Sequence, residues 1–92
     1  MELTELRQTI DGIDRELVAL LERRMDVAAG IAAWKQQAGR PVLDAAREAE
    51  KLDAVGALCR PETSCLIQNV FRAVMAASRA YQAARMEDEH EG

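Results

Sequence analysis

The chain is short of aromatic side chains and of proline. Among 92 residues there are one Trp, one Tyr and one Phe, 3% in all, and the two prolines, Pro41 and Pro61, fall between periodic segments rather than inside them. That composition is all-helical. No apolar run approaches the roughly 18 residues of a membrane span, and no basic start leads into an apolar core as in a signal peptide, so the expected location is cytoplasmic. Cysteine is scarce too: Cys59 and Cys65, six apart, match no zinc or redox spacing and are expected as reduced, partly buried thiols. The one histidine, His90, lies near the C-terminus and far from any motif, which leaves histidine acid–base chemistry and histidine-based metal binding poorly supported.

Positive charge is not in excess either. The formal net charge of -4 argues against a nucleic-acid or anionic-membrane partner. Glu87, Asp88, Glu89 and Glu91 account for that imbalance, so the body of the chain is near neutral and an anion-binding site would have to be a local cluster rather than a global field. Residues 1–86 are expected to form one small helical domain, near the size at which oligomerisation assists a marginal core, and residues 87–92 an acidic, disordered tail.

What is present is a heptad seam. Leu3, Leu6, Ile10, Ile13, Leu17, Leu20, position 24, Val27, Ile31 and Trp34 recur at alternating spacings of three and four, with no proline to interrupt them. One helix from Leu3 to about Gln37 would be about 50 Å long. A compact globule of this length should be only roughly 30 Å across. The helix therefore outruns its own chain, and part of the seam is expected to face a second copy in a two-fold dimer.

Position 24 breaks the seam with a guanidinium. Arg24 and Lys35 are eleven residues apart, close to a whole number of turns, so both cations share one inward face. A single seam charge is explained by register specification in a coiled coil. Two on the same face call for anions, from side chains or from a ligand, because burying cations without partners is very costly.

Gly39 and Pro41 should end this first helix, and Asp44 should cap a second from about Ala45 to Leu58, with Ala45, Ala49, Leu52 and Val55 inward. Pro61 and Thr63 mark the start of a third, from about Glu62 to Arg85, whose inward stripe reads Ile67, Phe71, Val74, Met75, Ser78 and Gln82. All three helices carry polar intrusions where they would converge: Arg7, Arg24 and Lys35 on the first, Arg47 and Glu48 on the second, Ser78 and Gln82 on the third. Individually these have ordinary explanations, such as a serine bonded to its own helix or a solvated charge pair. Together they suit a small ligand with two or more negative charges and a hydroxyl, and chemistry by charge stabilisation and positioning rather than proton transfer.

The pattern Arg7, the run Asp14 to Leu21, Arg24, Lys35, Arg40-Pro41-Val42, Asp44, Arg47-Glu48, Phe71, Ser78 and Gln82 resembles the all-helical chorismate mutases from Leu3 to about Gln82. The resemblance implies an intertwined homodimer of three-helix chains that rearranges chorismate to prephenate in phenylalanine and tyrosine biosynthesis, with no cofactor and no metal. It implies that Arg24 and Arg7 bind the substrate carboxylates with help from Ser78 and Arg47. Lys35 and Gln82 would donate to the ether oxygen, and Glu48 with the backbone near Asp44 would hold the ring hydroxyl. Arg7 precedes Arg24 by 17 residues, about 25 Å of helix, and is expected to serve the partner's site. An isochorismate pyruvate lyase on the same scaffold and a non-catalytic helical interaction module are the alternatives.

Overall fold

The computed structural model describes the backbone of residues 2–91 and the side chains of residues 2–87. Three helices follow in order: α1 Leu3–Ala38, α2 Ala45–Leu58 and α3 Pro61–Glu91. No strand occurs among the described residues.

The helix ends follow local chemistry. Gly39 takes the left-handed conformation at φ 67°, which a residue without Cβ adopts freely. Its N–H donates to the Gln36 carbonyl at 3.3 Å and that of Arg40 to Lys35 at 2.7 Å, a closing pair that satisfies the last carbonyls of α1. The Asp44 carboxylate caps α2 by accepting from the Arg47 N–H at 3.0 Å. α3 begins with Pro61, where a missing N–H leaves no helical bond unmade. Thr63 does not act as its cap, because its hydroxyl donates backward to the Arg60 carbonyl at 3.3 Å. At the other end α3 runs to Glu91, past the expected Arg85, through a stretch with neither Pro nor Gly. The expected disordered tail falls mostly on residues 88–92, whose side chains lie outside the described residues.

α3 packs against both α1 and α2, and those two do not pack against each other. Between α1 and α3 the buried residues are Ala28 and Ala32 against Met75, Ser78 and Gln82. The two alanines, one turn apart, let the helix backbones approach, and they stand beside the heptad seam rather than in it. Leu3, Leu6, Ile10, Ile13, Leu17 and Leu20 remain 44–60% exposed. The fold measures 53 × 28 × 14 Å. Its radius of gyration is 16.4 Å, against about 12 Å for a compact chain of this length.

α2 is turned differently from expectation. Ala45 and Ala49 are exposed, and Glu48, Leu52 and Val55 face inward instead. The reason lies in α3: Gln68 Nε2 donates to the Leu52 carbonyl at 2.9 Å, Ser64 Oγ to the Gly56 carbonyl at 3.1 Å, and Arg79 pairs with Glu48. A Cβ on Gly56 would overlap the amide end of the Gln68 side chain, which would have to shift to make room for it.

Candidate active site

Where the C-terminal half of α1, the start of α2 and the middle of α3 meet, they enclose an open cavity of about 440 Å³. That is within the usual size of a small-ligand site. From α1 it receives Arg24 and Lys35, spaced along the seam residues Val27, Ile31 and Trp34. Asp44, Arg47, Glu48 and Lys51 line it from α2 and its cap, and Ser78, Arg79 and Gln82 from α3. Seven of the eight residues singled out in the sequence are thus brought to one cavity. Arg7 is the exception: it sits in the exposed N-terminal half of α1 and is not among the lining residues.

Two lining residues were not singled out. Lys51 carried a signal, since it lies three and four residues beyond Glu48 and Arg47 and shares their helix face. Arg79 carried none, because it stands one residue off the apolar stripe beside Ser78 and reads as solvent-facing. Both add positive charge. The cavity wall holds five cations, Arg24, Lys35, Arg47, Lys51 and Arg79, against the carboxylates of Asp44 and Glu48, a net of three positive charges in a chain of net charge -4. Apolar walls around such a cluster concentrate its field on the cavity.

The polar groups differ in how far they are committed. Lys35 Nζ donates to the Val42 carbonyl at 2.6 Å, which folds the α1–α2 connection beneath it and leaves two ammonium hydrogens. No carboxylate pairs with Arg24 or Lys35 among the described residues. Arg47 is drawn outward to Glu50 at 2.8 Å, and both side chains are more than half exposed. An ion pair this wet is worth less than about 1 kcal/mol. Arg47 is therefore free to turn inward. Glu48 and Arg79 form an ion pair that ties α2 to α3 across the cavity wall. Ser78 and Gln82 are each only 6% exposed. Gln82 Nε2 donates to Ser78 Oγ at 3.1 Å, and its Oε1 is buried with no hydrogen-bond partner. A buried amide left half-satisfied costs roughly 1–3 kcal/mol, and such a group in a cavity wall is suited to a ligand that completes it.

Neither thiol lines the cavity, and the side chain of His90 lies outside the described residues. The described residues contain no cluster of three or more His, Cys, Asp or Glu that could hold a metal ion, and no described helix is long and apolar enough to cross a membrane. The wall supplies cations, two carboxylates, a hydroxyl and an amide. Such a set of groups is suited to holding a polyanion and to stabilising charge that develops on an oxygen.

A family model described as chorismate mutase type II matches residues 6–83. A chorismate mutase from Methanocaldococcus jannaschii is 36% identical over 59 residues, which cover 64% of this chain and 60% of that protein. A T-protein from Enterobacter agglomerans is 36% identical over 80 residues, covering 80% of this chain and 20% of that protein. The match spans less than two thirds of either relative's own length. No solved structure matches.

Proposed function

This chain belongs to the chorismate mutase type II family, and on that premise we propose that it converts chorismate to prephenate by an intramolecular Claisen rearrangement in phenylalanine and tyrosine biosynthesis. One C–O ether bond breaks as one C–C bond forms, and no atom enters or leaves. The observation that carries the proposal is the convergence of Arg24, Lys35, Arg47, Glu48, Ser78 and Gln82 on one cavity with a local excess of positive charge. The substrate carries two carboxylates, an ether oxygen and a ring hydroxyl, and the cavity offers a complement to each.

Arg24 grips one carboxylate, and Arg47 turns in from Glu50 to assist with the Ser78 hydroxyl. Lys35, with two ammonium hydrogens beyond its bond to Val42, donates to the ether oxygen. Gln82 joins it after a half-turn of its amide: Oε1 then accepts from the Ser78 hydroxyl, and Nε2 is released toward the ligand. The same rotation satisfies the buried Oε1. Negative charge grows on the ether oxygen as its bond to carbon stretches, so donors fixed there bind the transition state more tightly than the substrate. Glu48 and the backbone near Asp44 hold the ring hydroxyl, and the rigid walls select the reactive folded conformer.

The active unit is a homodimer. The chain exposes 7096 Å², whereas a folded monomer of its mass exposes about 5,300 Å². Two chains have together an excess of about 3,600 Å², in the range buried by obligate dimers. The uncovered seam supplies the apolar surface, and Arg7, about 25 Å from Arg24 along α1, reaches the partner's cavity as a further carboxylate ligand. The free thiols Cys59 and Cys65 fit a reducing, cytoplasmic setting.

Purified protein incubated separately with chorismate and with isochorismate, with products identified, tests the reaction. Prephenate from chorismate is expected. Pyruvate and salicylate from isochorismate alone would assign the lyase reaction instead, and no turnover of either would leave a helical interaction module.

A further inference from the structure

We propose that Arg79 is the positioning residue of this site: it holds Glu48 in the orientation in which the carboxylate accepts the ring hydroxyl, and it neutralises that carboxylate toward an incoming dianion. The proposal rests on the mutase reading above. Its basis is the ion pair between Arg79 on α3 and Glu48 on α2, 31 residues apart in sequence and the one ion pair that joins two helices among the described residues.

Two physical problems meet at Glu48, and the pair answers both. The first is entropy. A glutamate on a helix face has several rotamers, and fixing it when substrate arrives would cost conformational entropy. Arg79 fixes it beforehand. Its guanidinium bonds Oε1, and Oε2 accepts no hydrogen bond among the described residues, so one oxygen remains for a hydroxyl. The second is charge. A lone carboxylate in a dianion site repels its ligand, whereas paired with Arg79 it is an electrically neutral acceptor.

The surroundings make Arg79 the specific partner. Arg24 and Lys35 on α1 and Arg47 and Lys51 on α2 line the same cavity, and none of them bonds Glu48. The side chains of Glu48 and Arg79 are 25% and 35% exposed, against 72% and 59% for Glu50 and Arg47 in the pair at the rim. Partial burial strengthens the bond and fixes its direction. Arg79 acts through Glu48 and is not assigned a contact with substrate.

A double-mutant cycle tests this with Arg79→Gln, Glu48→Gln, the double variant and Arg79→Lys, each assayed for kcat and KM with chorismate and for thermal midpoint. Holding the hydroxyl assists substrate and transition state alike, so its loss falls mainly on KM. Arg79→Gln should raise KM about tenfold and change kcat less than about threefold, in line with the loss of one charge-assisted hydrogen bond in a partly exposed pair. Arg79→Lys should recover most of the KM. In the Glu48→Gln background, Arg79→Gln should change KM by less than about twofold, since its target is gone. Multiplicative effects would overturn the proposal by giving Arg79 its own contact with substrate. Equal losses in KM and kcat that track the thermal midpoint would overturn it in favour of a purely structural tie. If the wild type leaves chorismate unchanged, the mutase reading falls and this proposal with it. Turnover by the wild type with a failed cycle removes only the role of Arg79.

Discussion

Replacing Gln82 with glutamate keeps the size of the side chain and changes only whether it can donate. The substituted carboxyl would sit where Gln82 is 6% exposed, beside Ser78 Oγ and in a wall shared with Arg24 and Lys35. Protonated, it would donate to the ether oxygen in the role proposed for the amide. Ionised, it offers only lone pairs to an oxygen gaining negative charge. Burial raises its pKa above the ordinary value of about 4.3 and the two cations lower it. The balance of these two effects sets where the descending limb of kcat/KM starts, and activity falls tenfold per pH unit beyond the pKa. It does not fall without limit. Loss of one donor of this kind costs about 10²–10³ in rate, so the limb should span two to three pH units and then level off on the contribution of Lys35. The wild type should show no such limb between about pH 5 and pH 8, because no histidine lines the cavity. Measuring kcat/KM against pH for both proteins decides it. Parallel profiles would place Gln82 outside the reacting centre and remove the amide rotation from the mechanism.

Arg7→Ala and Arg24→Ala should each be nearly inactive, yet refolded mixtures should regain up to one intact site of the two in each heterodimer; confirmed heterodimers without activity would count against an Arg7 shared between chains. Sedimentation across a concentration series should show a dimer throughout the active range, and a fully active monomer would refute the assembly argued from the excess surface. Gly39→Ala should lower stability by about 1–2 kcal/mol, since φ 67° strains a residue with Cβ, and its urea midpoint should fall. An unchanged midpoint would show that the chain leaves α1 by another route.

The parts of the fold legible in the sequence are those decided within a few residues. Gly39 with Pro41, Asp44 ahead of Ala45, and Pro61 each set a boundary through their own backbone chemistry, and the structure places the ends of α1 and α2 there. The rotation of α2 was not legible. Ala45, Ala49, Leu52 and Val55 make as good an apolar stripe as Leu52 and Val55 with Glu48, and the choice is made by Gln68, Ser64 and Arg79 on another helix. The placement of the cations on α1 was legible for a related reason. Arg24 and Lys35 are positioned by helical period alone, which no neighbour can alter, so their arrival in one cavity follows from an eleven-residue spacing.

The seam marks where that reasoning stops within a single chain. Its period states that a face of α1 needs cover, but period carries no information about what supplies it. In the folded chain α3 covers Ala28 and Ala32 and leaves the residues from Leu3 to Arg23 exposed, apart from half-buried Gly12. The same segment carries Arg7, the one site candidate absent from the cavity wall. If one second chain covers the seam, it also brings Arg7 against a cavity that its own chain cannot reach. Removing Arg7 should then abolish activity while leaving the dimer intact, since an exposed arginine contributes charge and not apolar area to the interface. A light-scattering mass at twice that of the chain, combined with lost turnover, is the expected result for Arg7→Ala. A monomeric Arg7→Ala would make the residue part of the interface instead, and the dimer would no longer require a site shared between chains.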